Sequence, residues 1–236
     1  MNVQFKYRIK IKFIMDQLGM KINVSREALK YLDDNILLGM GSGTTVEIFI
    51  EEMSKVGFKG LRIVPSSRRI DKILREKGYS VVELEDKCDL YIDGADAVDR
   101  ELRMIKGGGG ALTREKIIAY NSLKRIIIVD ETKMRENFEG IYLPVEILVF
   151  SFKSTMKRIR DLGLNIRLRG QDSPFITDNG NYIVDVLIES KSHLEDISRK
   201  IKEIPGVIET GFFKDLADTV LIGKRDGGVE KISKIS

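Results

Sequence analysis

From Asp34 onward the chain alternates short, β-branched apolar runs with longer stretches whose apolar residues recur at three- and four-residue spacing. The runs are Ile36 to Leu38, Leu61 to Val64, Tyr79 to Val82, Leu90 to Ile92 and Ile126 to Val129. Between them, helices are predicted over Thr45 to Ser54, Arg68 to Glu76 and Leu112 to Asn121. Continuous apolar strands separated by amphipathic helices are the pattern of parallel βαβ units, because a parallel strand is covered by helices on both faces. The fold class expected is α/β, a doubly wound, mostly parallel sheet.

After Asp130 the rhythm changes to strand (Val145 to Val149), helix (Ser154 to Leu162), strand (Asn165 to Leu168), strand (Tyr182 to Ile188), helix (His193 to Lys202) and strand (Gly206 to Thr210). That βαββαβ order predicts a smaller ferredoxin-like α+β domain. Thr177-Asp178-Asn179-Gly180-Asn181 contains the Asn-Gly pair of a tight hairpin and reads as a turn rather than a site. Thr219 to Ile222 is a last strand free to rejoin the first sheet. The division expected is residues 1–136 plus 214–236 for the larger domain and 137–213 for the smaller.

Composition adds exclusions. The 236 residues are 42% hydrophobic and 32% charged, with 40 Lys and Arg against 36 Asp and Glu, so the net charge of +4 is a small residue of two balanced populations and a weak hint of nucleic acid. A single cysteine, Cys88, rules out an intrachain disulfide framework and suits a reducing, cytoplasmic setting. A single histidine, His193, rules out multi-histidine metal sites. Cys88 reads as a packing residue and His193 as a helix cap or surface residue. No apolar stretch approaches the ~20 residues of a membrane span. Met1 to Lys12 alternates basic and apolar residues without the core of a signal peptide. It reads as an edge strand, an arm, or sequence upstream of a start at Met15 or Met20.

Three polar, glycine-bearing segments follow predicted strands, at the sheet edge where open α/β folds bind ligands. Gly39-Met40-Gly41-Ser42-Gly43-Thr44-Thr45 offers glycines, free helix-start amides and hydroxyls, either as a phosphate cradle or as a glycine turn with a Thr cap. It lacks the endings of dinucleotide and P-loop motifs. Asp93-Gly94-Ala95-Asp96 holds two carboxylates three apart, suited to sugar hydroxyls, proton relay or a cation, or equally to an Asx turn and cap. Lys106-Gly107-Gly108-Gly109-Gly110 entering Ala111-Leu112-Thr113-Arg114-Glu115-Lys116 reads as a backbone nest for an anion, with Lys106 at its lip and Glu115 in the first turns of the helix. Lys133, after the strand ending at Val129, is either a further cationic contact or part of a solvated hinge. Together these groups suit a small sugar phosphate, and with no activated nucleophile in view the remaining chemistry is proton transfer through an enediolate.

These segments, with Leu143-Pro144-Val145-Glu146, Thr177 to Asn181 and Ile204 to Phe213, resemble the ribose 5-phosphate isomerase A family from about Asp34 to about Gly223. The resemblance implies interconversion of ribose 5-phosphate and ribulose 5-phosphate in the non-oxidative pentose phosphate pathway, with no metal or organic cofactor. It implies that Glu115 shuttles the proton between C1 and C2, and that Asp93 is associated with opening the furanose ring. Asp96, Lys106 and the amides of Gly107, Gly108 and Gly109 would hold hydroxyls and the enediolate. Ser42, Gly43, Thr44, Thr45, Gly94, Ala95 and Lys133 would bind substrate. A homodimer or homotetramer is implied as well, with no nucleic-acid or membrane partner. Two departures stand out: the loop Gly41-Ser42-Gly43-Thr44-Thr45 replaces the usual Gly-Thr-Gly-Ser-Thr while keeping its hydroxyls, and residues 1 to about 20 exceed the family's usual start. A sugar-phosphate sensor without catalysis is the competing reading, and nucleic-acid binding by the basic arm a third; no helix-turn-helix pattern accompanies the former.

Overall fold

The computed structural model describes residues 17–189 and 194–234; the basic segment 1–12 and His193 lie outside them. Its first helix, α1, occupies residues 17–28. A seven-stranded sheet follows, built from β1 (Leu37–Met40), β2 (Arg62–Pro65), β3 (Ser80–Val81) and β4 (Leu90–Asp93). Two-residue strands β5 (Ala97–Val98) and β6 (Met104–Ile105) precede β7 (Arg125–Asp130), which returns to that sheet. Helices α2 (Thr44–Val56), α3 (Arg68–Glu76) and α4 (Leu112–Tyr120) make the crossovers.

A four-stranded antiparallel sheet comes next, from β8 (Tyr142–Ile147), β9 (Ile166–Leu168), β10 (Tyr182–Leu187) and β11 (Val207–Thr210), with α5 (Phe152–Arg160) and α6 (Leu194–Lys202). Its order, β11-β8-β10-β9, is the ferredoxin-like arrangement in which the third strand inserts between the first and second. The chain ends with β12 (Phe212–Phe213), β13 (Thr219–Gly223) and β14 (Val229–Ser233).

The large sheet runs β14-β13-β7-β4-β1-β2-β3, parallel throughout except for the final β13–β14 pair. Its interior strands β4 and β13 are buried at every position, which is why Leu90 to Ile92 and Val220 to Ile222 read as apolar runs. Gly39 in β1 leaves room for α4: a Cβ there would stand 2.4 Å from Ile118 Cγ2. Helix α2 stops at Gly57, whose φ of 80° ends the helix in the left-handed conformation. Because β1, β4 and β7 are parallel neighbours, the loops after all three emerge along one edge.

Several expectations shift. The strand expected at Val145 to Val149 begins at Tyr142 and takes in Pro144, which lies just beyond Val145, the last β8 residue with a β11 partner. The expected Tyr79 to Val82 strand shrinks to two residues at the sheet edge. The hairpin turn forms as expected, with Thr177 N–H donating to Asn181 O at 2.9 Å and Gly180 at φ 79°.

Strands β5, β6 and β12 form a small sheet of their own, and β14 extends the large one; two-residue strands carry no alternation that a sequence pattern could register. Residues 17–20, set apart by the sequence reading as an extension, belong to α1, where Met20 is buried against Gly223 of β13. Among the described residues no helix is long and apolar enough to cross a membrane.

Candidate active site

The loop after β1 and the loop after β4 interlock around one carboxylate. Gly41 is obligatory there, since a Cβ would fall 1.7 Å from Asp93 Cγ. The fully buried Asp93 accepts from Ser42 N–H (3.1 Å) and Gly94 N–H (2.6 Å) through Oδ1, and from the Tyr91 hydroxyl through Oδ2. Strand β6 then delivers Lys106 to the same point. Its ammonium lies 2.6 Å from Asp93 Oδ2, donates to Gly94 O at 2.6 Å, and stands 3.2 Å from Glu115 Oε2.

Glu115 sits in the first turn of α4, where the free N–H groups of the helix start favour a carboxylate, yet it is only 3% exposed. Ser42 Oγ donates to its Oε1 at 2.6 Å, while Oε2 makes no hydrogen bond. Burial first, and the neighbouring Asp93 charge second, raise the Glu115 pKa to about 7, against the opposing pull of Lys106 and Ser42. Burial pushes Asp93 upward too, opposed chiefly by Lys106. For Lys106, burial works against the charge, but the Asp93 and Glu115 carboxylates outweigh it and the ammonium is held above its ordinary range. Two carboxyls thus share one permanent cation, and their ionisations are linked. Asp93 has four partners, two backbone N–H groups, the Tyr91 hydroxyl and Lys106, whereas Glu115 has only Ser42 and the more distant Lys106 ammonium, so Glu115 is the member that exchanges a proton near neutrality.

Above this cluster lies a cavity of about 120 Å³. Every residue singled out from the sequence lines it, with the exception of Asp93, whose oxygens are engaged beneath the floor. Asp96 stands on the wall and accepts from Gly108 N–H at 2.7 Å, which fixes the glycine nest against the loop after β4. At the other end Thr44 and Thr45 meet Lys133 and one residue the sequence reading missed, Lys21 of α1. Lys21 donates to Thr44 Oγ1 at 2.8 Å, and its pKa is lowered by burial, while Asp130 raises it and Lys133 adds to the lowering. Two ammonium groups close enough to disfavour one another, beside hydroxyls and the start of α2, make a seat for a doubly charged anion.

The cavity therefore brings an anion seat and a proton-transfer cluster to one space. Residues 62–227 match the family described as Ribose 5-phosphate isomerase A (phosphoriboisomerase A). The chain belongs to this family.

Among ribose 5-phosphate isomerase A relatives, the Archaeoglobus fulgidus protein is 44% identical over 220 residues, which is 89% of this chain and 96% of that one. A solved ribose 5-phosphate isomerase from Plasmodium falciparum superposes with a TM-score of 0.88 at 33% identity, covering 92% of this chain and 99% of that chain. A D-ribose-5-phosphate isomerase solved in complex with phospho-erythronic acid gives a TM-score of 0.85 at 35% identity, over 91% and 98% of the respective chains. The match spans both sheets, so the isomerase family relationship covers the cavity and the antiparallel sheet alike.

Proposed function

We propose that this chain interconverts D-ribose 5-phosphate and D-ribulose 5-phosphate through an enediolate, as a step of the non-oxidative pentose phosphate pathway. The observation that carries the reading is the buried Glu115 carboxyl, poised near neutrality with one oxygen held by Ser42 and the other, free of hydrogen bonds, facing the Lys106 ammonium at 3.2 Å. With the phosphate between Lys21, Lys133 and the Thr44 loop, the carbonyl end of an open-chain pentose reaches Glu115. Glu115 takes the C2 proton of the aldose, and the electron pair passes onto O1 to give the enediolate. Lys106 and the nest amides stabilise that charge. Return of the proton to C1, with transfer of the O2 hydroxyl proton to O1, leaves the ketose. No metal or organic cofactor is needed for these transfers.

Asp96 is placed to hold sugar hydroxyls. The ring-opening role that the resemblance attaches to Asp93 is supported here only through Lys106, whose ammonium Asp93 holds, because its own oxygens do not reach the cavity. On this reading the catalytic parts belong to residues 1–136 and 214–236, and residues 137–213 are a ferredoxin-like module. The protein then works in the cytoplasm as a homodimer or homotetramer with no nucleic-acid partner.

The test is ribose 5-phosphate with the purified protein and EDTA in deuterated water, followed by proton NMR. Ribulose 5-phosphate carrying deuterium at carbon is the expected product, and Glu115→Gln abolishes both product and exchange. Binding of the sugar phosphate with neither product nor exchange in the wild type would replace the isomerase by a sensor.

A further inference from the structure

The glycine nest is held from behind by a residue of the antiparallel sheet. Arg169, one residue past β9, donates through Nη1 to Gly107 O at 2.7 Å and to Gly108 O at 3.1 Å. The rest of its guanidinium is committed to Asp185 of β10, with Nε to Oδ2 at 3.1 Å and Nη2 to Oδ1 at 2.5 Å. Asp185 is itself buried and holds Arg169 far more closely than its cross-strand neighbour Arg167, whose Nε stands 3.8 Å from Oδ2, so the fork is fixed in direction by this carboxylate.

Across a trans peptide the C=O and the following N–H point in opposite directions. Carbonyls 107 and 108 turned onto Arg169 therefore turn the N–H groups of Gly108 and Gly109 away from it. The first of these meets Asp96 on the cavity wall, and the second donates no hydrogen bond among the described residues. A cation at the carbonyl end of two peptide groups also polarises their N–H ends, making them stronger donors.

On the isomerase reading above, we propose that Arg169 is a positioning residue for the enediolate: seated on the Gly107 and Gly108 carbonyls, it polarises both peptides, holding the Gly108 N–H on Asp96 and aiming the free Gly109 N–H toward the developing negative charge. It touches no substrate atom. The antiparallel sheet then contributes to the reaction itself, and Asp185 acts one step further back by orienting the guanidinium.

The experiment compares wild type, Arg169→Lys, Arg169→Met and Arg169→Met with Asp185→Asn, the last removing the carboxylate that the single change strands. Turnover of ribose 5-phosphate is measured beside calorimetric binding of phospho-erythronic acid, whose carboxylate carries a delocalised negative charge as an enediolate does. Loss of one preorganised amide contact at an oxyanion is worth about 100-fold or more, so an indirect loss is expected to lower kcat by about 10- to 100-fold. KM should stay within about threefold, because the effect is confined to the transition state. Affinity for the acid should fall in parallel with kcat, and Arg169→Lys should recover part of both. Unchanged kcat and acid affinity in the double variant would overturn the role of Arg169 and leave the isomerase standing. Equal losses in KM and kcat accompanied by a lowered Tm in every variant would reduce Arg169 to a structural contact. A wild type that binds the acid but does not turn over would instead remove the isomerase reading.

Discussion

Ser42 Oγ donates a 2.6 Å hydrogen bond to Glu115 Oε1, joining the glycine loop after β1 to the helix that carries the base. The bond favours the ionised carboxylate and opposes the upward push of burial. Ser42→Ala removes that opposition. The acid limb of kcat/KM, expected near the Glu115 value of about 7, should therefore move to higher pH. A displacement of about half a unit to one unit corresponds to the loss of about 1 kcal/mol of hydrogen bonding to a charged group. Activity at pH 8.5 should stay close to wild type, while activity at pH 6 falls several-fold. A uniform loss at every pH would show that Ser42 acts through substrate contact alone.

Two glycines of the site predict different failures. A Cβ at Gly41 meets Asp93 Cγ at 1.7 Å, and Asp93 is locked by four donors with no space to retreat. Gly41→Ala should lower Tm by about 10 °C or more, the equivalent of about 3 kcal/mol in a protein of this size. A Cβ at Gly108 meets Asp96 Oδ1 at 2.6 Å, but that side chain is exposed and free to rotate outward. Gly108→Ala should leave Tm within about 3 °C, since exposed adjustments cost little, and should still lower kcat/KM by about tenfold as Asp96 leaves the nest. Thermal melts beside steady-state kinetics separate the two, and equal stability losses would refute the distinction.

How much of this site could be read along the chain depends on how local each signal is. Asp93, Asp96, Lys106, the glycine run and Glu115 are legible because glycines and charges at strand ends are exceptional over a few residues, whatever the rest of the fold does. Lys21 is not, since a lone lysine on an amphipathic helix looks like any solvated residue. Its place at the cavity comes from the packing of α1 on β13, where Gly223 makes room for Met20. Arg169 is silent for the same reason: its meaning lies in the approach of one sheet to another, 62 residues from Gly107 in the chain. Strand order in the large sheet is similarly non-local, and only the alternation of strand and helix was visible.

Lys21 offers a direct test of the phosphate end. It contacts Thr44 Oγ1 and shares its electrostatic environment with Asp130 and Lys133, and neither Glu115 nor Lys106 is among its partners. Lys21→Ala should raise KM for ribose 5-phosphate by about tenfold with kcat within about threefold, the signature of lost binding common to ground and transition states. Inhibition by inorganic phosphate should weaken in step. A fall in kcat at unchanged KM would place Lys21 at the reacting end instead.

Glu115 links catalysis to stability with a definite sign. Its pKa is raised in the folded protein from 4.5 to about 7, chiefly by burial. Between those values the folded chain keeps a proton that the unfolded chain has released. The stabilisation from Glu115 is therefore complete below about pH 4.5 and is lost as pH rises through about 7. Above that range the protein carries a buried carboxylate that shares Lys106 with Asp93, a cost accepted for a base active at neutral pH. Glu115→Gln imitates the protonated state at every pH and keeps an acceptor for Ser42. The variant should melt close to wild type at pH 5 and above it at pH 8.5, by on the order of a few degrees for one or two kcal/mol. Turnover should be lost at both. Melting curves that run parallel across this range would mean that Glu115 titrates as an ordinary carboxylate, and the base would have to be sought elsewhere in the cavity.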